Sequence, residues 1–211
     1  MNREVLSEQI AFYRARAPEY DQSWVTRHEL EAVTQSLRTM GPFGEALELA
    51  PGRGLWTQEL VHICRSITAI DASPEMIALN RQSVGSDRVT YQEHDLFRWE
   101  PDRQYDLVFA GFWLSHVPPD AMDHFLARVC RALGPGGTVM FVDQCNDIRD
   151  EAQGETEGIL QRRRVADGRT FVIVKVYYHP GLLGGKFREM GFDVAVRRIG
   201  ESFFSIVGRK R

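Results

Sequence analysis

Apolar residues recur at helical spacing near the start of this chain and fall into short unbroken runs farther along. The first pattern predicts helices over residues 3–17 and 25–40. Apolar runs then alternate with amphipathic segments, and such alternation is typical of a parallel sheet covered by helices on both faces. The predicted strands lie near 45–50, 67–71, 88–94, 105–110 and 137–143, and the predicted helices near 55–65, 74–84 and 119–133.

The alternation stops at residues 144–168, a polar segment with acidic residues first and basic residues later. A surface loop with one helical turn and a lid over a binding site both fit this composition. A β-branched and aromatic run predicts a strand over 170–178, and a helix follows near 180–190. Two last strands, Phe192–Ile199 and Ser202–Gly208, are expected to form a hairpin.

Composition favours one ordinary soluble domain. Hydrophobic residues make up 43% and charged residues 26%, and the formal net charge of -3 gives no basic surface for nucleic acid. The basic run Arg162–Arg164 is expected to face water. No apolar stretch reaches the roughly 20 residues of a membrane span, and the charged start does not resemble a signal peptide, so we expect a cytoplasmic protein.

The cysteines Cys64, Cys130 and Cys145 lack the spacing of a metal site or a paired redox motif. Cys64 and Cys130 are expected in helix cores, the reduced pattern of a cytoplasmic protein. Cys145 follows a predicted strand end and would border a crevice there.

The most informative residues surround the end of the first predicted strand. Glu48 lies near its end, and the run Ala50–Gly54 forms a glycine-containing turn before a predicted helix. Such a turn presents backbone N–H groups to a ligand, and Asp71 at the end of the next strand would face the same crevice. The dinucleotide fingerprint requires a third glycine where Thr57 stands, which argues against a nicotinamide cofactor.

The pattern from Glu48 to Gly54 resembles the first motif of class I S-adenosylmethionine (SAM) dependent methyltransferases, with Ala50 at the first glycine position. Later motifs of that family are matched in order by Ile67–Met76, Val89–Leu96, Tyr105–Gly111 and Leu133–Gly137, and Phe12–Asp21 resembles the lid helix of members that act on small molecules. The resemblance implies an α/β, Rossmann-like, doubly wound seven-stranded sheet, mostly parallel with one antiparallel C-terminal strand.

The resemblance also implies a single domain over 1-211. Residues 1-40 would supply lid helices, and residues 144-180 would be an inserted loop and strand that could cap the substrate.

By the same resemblance, SAM would be held by residues at the strand ends. Glu48 and Gly52 would face the methionine tail, Asp71 the ribose hydroxyls, and Asp95 the adenine amino group. Glu48 could instead cap a helix dipole, Asp71 a helix start, and Asp95 an Asx turn. The further cofactor contacts implied are Tyr13, Tyr20, Ala50, Ala72, Met76, Leu96 and Phe109.

Catalysis would involve the segment Gly111–His116, which follows the fourth predicted strand. This segment has no acid, so we predict no metal ion. His116 could be a general base or could cap the next helix. Trp113 and Tyr177 are candidate substrate contacts, although either could simply pack in the core.

The sequence thus predicts methyl transfer from SAM to an oxygen, nitrogen or carbon atom of a small molecule by a monomer or homodimer. One alternative is a protein of this fold that binds SAM without transferring the methyl group, as a cyclase or binding module. The other is an NAD(P)-dependent oxidoreductase, which Thr57 disfavours. The sequence does not identify the methyl acceptor.

Overall fold

The computed structural model describes residues 3–20, 27–144, 156–200 and 203–211. Two helices, α1 (Arg3–Arg16) and α2 (Arg27–Met40), precede the first strand, as predicted. A short 3-10 turn, Ala17–Glu19, follows α1 because Pro18 cannot continue an α-helix.

Strands and helices then alternate in the predicted order. The strands are β1 (Phe43–Leu49), β2 (Cys64–Asp71), β3 (Val89–Glu93), β4 (Tyr105–Gly111) and β5 (Leu133–Gln144). The helices between them are α3 (Thr57–Ile63), α4 (Pro74–Val84) and α5 (Pro119–Ala132). Three strands, β6 (Thr156–Glu157), β7 (Leu160–Arg164) and β8 (Thr170–Val174), come next, before α6 (Pro180–Glu189), β9 (Phe192–Ile199) and β10 (Phe203–Lys210).

The main sheet has seven strands in the order β3-β2-β1-β4-β5-β10-β9. Strands β1 to β5 pair in parallel, and β10 runs antiparallel to both β5 and β9, which confirms the predicted topology. The chain winds outward from β1 in two directions, so a crevice forms at the carboxyl ends of β1 and β4.

Both faces of this sheet are buried. Because successive residues of a strand point to opposite faces, Ala46 and Leu47 of β1 enter two different hydrophobic clusters, as do Leu107 and Val108 of β4. Burial on both faces explains why these strands have unbroken apolar runs in the sequence.

The segment after β5 differs from the expected surface loop with one helical turn. Its described part contains no helical turn: β6, β7 and β8 form a separate antiparallel sheet. The strand predicted over 170–178 ends at Val174. Sequence periodicity could not reveal β7, because its buried positions are the polar residues Gln161 and Arg163. We call the sheet of β6, β7 and β8 the cap sheet.

Two smaller predictions are also resolved. Cys64 is not in a helix: it is the first residue of β2 and is buried there, because α3 ends at Ile63. Cys130 lies in α5 as expected, and Cys145 lies outside the described residues. Within the described ranges, the helices are too short or too polar for a transmembrane segment.

Candidate active site

A pocket opens where the sequence predicted a crevice. One wall consists of residues at or just after the carboxyl ends of strands, including Ala50, Asp71 and Gly111. Helix α1 and the cap sheet form the opposite wall, through Tyr13 and Ile173 among others. The pocket is therefore enclosed by segments far apart in the chain.

The turn after β1 has the backbone shape of a ligand-binding loop. Ala50 and Gly52 have φ angles of 52° and 53°, a region that glycine enters without strain and alanine enters at a cost. The Asn80 side chain donates to the Gly52 carbonyl at 3.2 Å and to the Thr57 hydroxyl at 2.9 Å. Asn80 of α4 therefore ties that helix to the loop and to Thr57, the first residue of α3, which accounts for a hydroxyl where the dinucleotide motif has glycine.

Asp71 lies in the pocket wall and is held by backbone donors. Its carboxylate accepts hydrogen bonds from Ser73 N at 2.9 Å and Gly52 N at 3.3 Å. Burial raises the pKa of Asp71 to about 6, against the opposing effect of these N–H groups. Ser73, rather than Asp71, caps α4, because its hydroxyl accepts from Met76 N at 3.1 Å. Asp71 is thus fixed with its carboxylate at the pocket wall.

The next loop brings Asp95 and Leu96 to the same end of the pocket, along with Ala72 and Met76. Asp95 also forms the alternative Asx turn, since its Oδ1 accepts from Phe97 N at 2.9 Å. The turn holds Asp95 beside the pocket, so the structural and binding interpretations are compatible.

Glu48 does not line the pocket, contrary to the expectation of a direct contact with the methionine tail. Its side chain is 1% exposed beneath the β1 turn, and neither carboxylate oxygen accepts a hydrogen bond of normal geometry from a described residue. Burial raises the pKa of Glu48 to about 8, the Thr57 hydroxyl partly offsets this, and the charge of Asp71 adds to it.

Two other predicted contacts also lie elsewhere. Phe109 is completely buried, and Trp56 packs against it at 5.9 Å between ring centroids. A Cβ on Gly111 would fall 2.3 Å from the Trp56 indole nitrogen, so this indole covers the strand and separates Phe109 from the pocket. Tyr177 is 37% exposed and lines a separate cavity, because β8 ends before it.

His116 reaches the pocket, but both of its ring nitrogens are already bonded. Nδ1 lies 2.8 Å from the Val174 carbonyl, and a carbonyl can only accept, so Nδ1 carries the proton. In the neutral ring, Nε2 then accepts a hydrogen bond from the Tyr13 hydroxyl at 2.8 Å. The helix-cap alternative is wrong, since α5 is preceded by Pro118 and has no side-chain cap.

Aromatic side chains line the remaining walls. Tyr13 and Tyr20 both line the pocket, with ring centroids 6.2 Å apart, and their contact with the cofactor stays a prediction. Trp113 also lines it and packs against Phe97 at 5.4 Å. Trp56 is a lining residue that the sequence reasoning missed; its position directly after the glycine turn was the available signal.

The sequence reasoning also missed three cations in the lining, Arg16, Arg163 and Lys175. Arg163 is only 7% exposed, which corrects the expectation that the whole basic run faces water. Strand alternation points Arg163 inward and its two neighbours outward.

Lys175 is held at the pocket by polar groups from two loops. Its ammonium donates to Ser115 Oγ at 3.3 Å and to Gln144 Oε1. Behind it, the buried Asp143 accepts from Ser115 N at 2.9 Å and Gln144 N at 2.7 Å. Burial raises the pKa of Asp143, and the positive charge of Lys175 opposes this rise.

Known proteins are similar to this chain in sequence and in fold. A family model described as "Methyltransferase domain" matches residues 46–137. The structure of DhpI with S-adenosylhomocysteine (SAH) is 37% identical, covers 100% of this chain and 98% of its own, and superposes with a TM-score of 0.86. A second DhpI structure, the complex with SAM and HEP, gives the same identity and TM-score over 99% of both chains.

The chain belongs to the class I SAM-dependent methyltransferases. It is a SAM-dependent methyltransferase, as the sequence predicted, rather than an NAD(P)-dependent oxidoreductase. A curated relative, an uncharacterized methyltransferase of Bacillus cytotoxicus, is 23% identical over 157 residues, 74% of this chain and 73% of its own. NodS from Bradyrhizobium japonicum, 15% identical with a TM-score of 0.69 over 90% of this chain and 99% of its own, shows the fold alone.

The residues of this methyltransferase fit SAM. A fixed carboxylate, Asp71, suits a ribose diol, and the left-handed turn at Ala50 and Gly52 lets backbone form the pocket wall. In the described ranges, His, Cys, Asp and Glu side chains form no cluster of three or more that could hold a metal ion. Independence from metal stays a prediction.

Proposed function

We propose that this methyltransferase methylates an oxygen atom of a small anionic molecule without a metal ion. The distribution of charge in the pocket supports the proposal. Arg16, Arg163 and Lys175 line the part formed by α1 and the cap sheet, whereas the acidic lining residues described, Asp71 and Asp95, lie on the cofactor side.

An anion at this end would be favoured because two of the cations are almost out of water. Arg163 is 7% exposed and Lys175 is 9% exposed, so each has lost most of its hydration. Asp143 offsets part of this positive charge from behind Lys175. A carboxylate, phosphate monoester or phosphonate would neutralise the remaining positive charge and form charge-assisted hydrogen bonds with these cations. An amine acceptor would be repelled.

Methyl transfer to such an oxygen requires little acid–base chemistry. SAM supplies a methyl group on a positively charged sulfur. An acidic oxygen already carries the attacking lone pair at neutral pH, so no base is needed, in keeping with a His116 that is bonded at both nitrogens. The role of this chain would be to hold the oxygen in line and to exclude water.

Residues 1-40 and 144-180 would close the site over both substrates. Side chains join α1 and the 3-10 turn after it to the cap sheet: Glu8 of α1 accepts from Val172 N at 2.7 Å, and Glu19 of the turn accepts from Ala166 N, between β7 and β8, at 2.9 Å. Since α1 and the cap sheet share these bonds, we propose that they move as one lid. The DhpI complex that holds SAM together with HEP supports an acceptor of small size.

The test is turnover of matched acids and neutral analogues, followed by SAH release. The panel pairs carboxylates with their amides, and adds phosphate monoesters, phosphonates, HEP and simple amines. Lys175→Met keeps the apolar stem and removes the charge, and should raise the KM for an acidic acceptor by about 10- to 100-fold. Lys186→Met is the control, because Lys186 pairs with Asp123 at 2.5 Å on the surface.

The proposal predicts turnover of acids only, and a KM that rises in Lys175→Met but not in Lys186→Met. Equal turnover of amides or amines, or an unchanged KM in Lys175→Met, would rule out an anionic acceptor.

A further inference from the structure

Consecutive residues of α1 contact both halves of the pocket. Arg14 pairs with Glu75 of α4 at 3.2 Å, next to the loop that carries Asp71. Tyr13 bonds to His116, whose neighbour Ser115 accepts from Lys175. Tyr13 therefore lies between the cofactor side and the cationic side, where the sulfur and its transferable methyl group must lie.

The proton of the Tyr13 hydroxyl is committed to His116. When His116 is neutral, its single ring proton is on Nδ1, which donates to the Val174 carbonyl, and Nε2 presents a lone pair to Tyr13. Beside the neutral ring the hydroxyl donates to Nε2, and toward a ligand its oxygen then accepts.

Gln9, one helical turn before Tyr13, holds this arrangement in place. Its amide nitrogen donates to the His116 carbonyl at 3.2 Å, and its amide oxygen accepts from Val174 N at 2.9 Å. Both partners of the His116 ring, Tyr13 and Val174, are thus tied to α1. The ring has little freedom to release Nδ1 from Val174.

We infer that Tyr13 distinguishes the positively charged sulfonium of SAM from the neutral thioether of SAH, and that His116 is the positioning residue that enforces this preference. An oxygen that only accepts attracts a sulfonium and its polarised methyl C–H groups. The same oxygen repels the lone pairs of a thioether. The inference rests on SAM binding and is independent of which molecule accepts the methyl group.

Two substitutions separate the roles of the two residues. Tyr13→Phe removes the hydroxyl, keeps the ring and should weaken SAM binding about three- to fivefold with little change for SAH. His116→Asn retains an N–H for the Val174 carbonyl but gives Tyr13 no acceptor at Nε2. The freed hydroxyl proton could then bond the thioether sulfur, so SAH should bind more tightly.

The measurement is the ratio of the SAM and SAH dissociation constants by titration calorimetry, with no acceptor present. Tyr178→Phe is the matched control, since that hydroxyl donates to the Val117 carbonyl at 2.7 Å outside this pocket. We expect the preference for SAM to fall about three- to tenfold in each pocket variant, to fall no further in the double variant, and to stay unchanged in the control.

An unchanged ratio in Tyr13→Phe overturns the inference. A ratio that changes in Tyr13→Phe but not in a folded His116→Asn overturns the role of His116. Should His116→Asn fail to fold, Tyr13→Phe alone still decides whether the hydroxyl senses the charge on sulfur.

Discussion

Replacing Glu48 with glutamine should stabilise the folded protein above neutral pH. Glu48 is 1% exposed, and its carboxylate oxygens lack hydrogen bonds of normal geometry from the described residues. Its pKa of about 8 lies above the value of 4.5 expected in an unfolded chain. The native state therefore holds a proton that the unfolded state has lost over the range between these values.

The sign and size of the effect follow from this proton. The stability associated with protonated Glu48 is complete below pH 4.5 and is lost as pH rises through about 8. The slope is about 1.4 kcal/mol per pH unit for one proton and falls to about half of that at the native pKa, so the loss between pH 6.5 and pH 8 is about 1–2 kcal/mol. The pKa of Asp71 is raised from 3.8 to about 6, so its effect on stability changes with pH mainly below pH 6.5.

The assay is urea unfolding of the ligand-free protein at several values between pH 6.5 and 8. The free energy of unfolding of Glu48→Gln minus that of the wild type should grow by about 1–2 kcal/mol across the window. Glu31→Gln is the control, because Glu31 forms an exposed pair with Arg27 at 2.8 Å. Parallel pH curves for wild type and Glu48→Gln would refute the argument that Glu48 is buried as a neutral acid.

Three further predictions concern the site. Asp71→Ala should weaken SAM binding by about 1.5–3 kcal/mol in a folded protein. At pH values below about 6, the affinity of the wild type for SAM should also decrease, because Asp71 gains a proton. Calorimetry that shows neither effect would contradict the role of Asp71. Gly111→Ala should destabilise the fold by about 1–3 kcal/mol, because the new methyl group would lie 2.3 Å from the Trp56 indole nitrogen. An unchanged melting temperature would argue against this packing. A chelator should leave turnover unchanged, and loss of activity restored by magnesium would show that a metal takes part.

The fold was predictable where one signal dominated. The apolar runs of β1, β2, β4 and β5 and the turn at Gly52 fixed the sheet and the cofactor loop, because burial on both faces leaves little choice of residue. Strand β7 was not predictable, since its inward positions are polar.

The site was predictable at the strand ends and less so elsewhere. Asp71 is the last residue of β2 and Asp95 lies two residues after β3, so the topology alone brings them to the pocket. The inward direction of Arg163 depends on a one-residue register in β7, and no local pattern sets it. The bond from Tyr13 to His116 joins residues 103 positions apart, so the sequence could suggest a base but not that its basic nitrogen is occupied.

The most direct test of methyl transfer to an acidic oxygen uses SAM with an isotopically labelled methyl group. The enzyme is incubated with an acid acceptor or with its amide, and the products are analysed by mass spectrometry and NMR. We predict one labelled methyl group on an oxygen of the acid, none on the amide, and loss of the product in Lys175→Met at low acceptor concentration. Label on a nitrogen or carbon atom, or equal labelling of the amide, would contradict the proposed function.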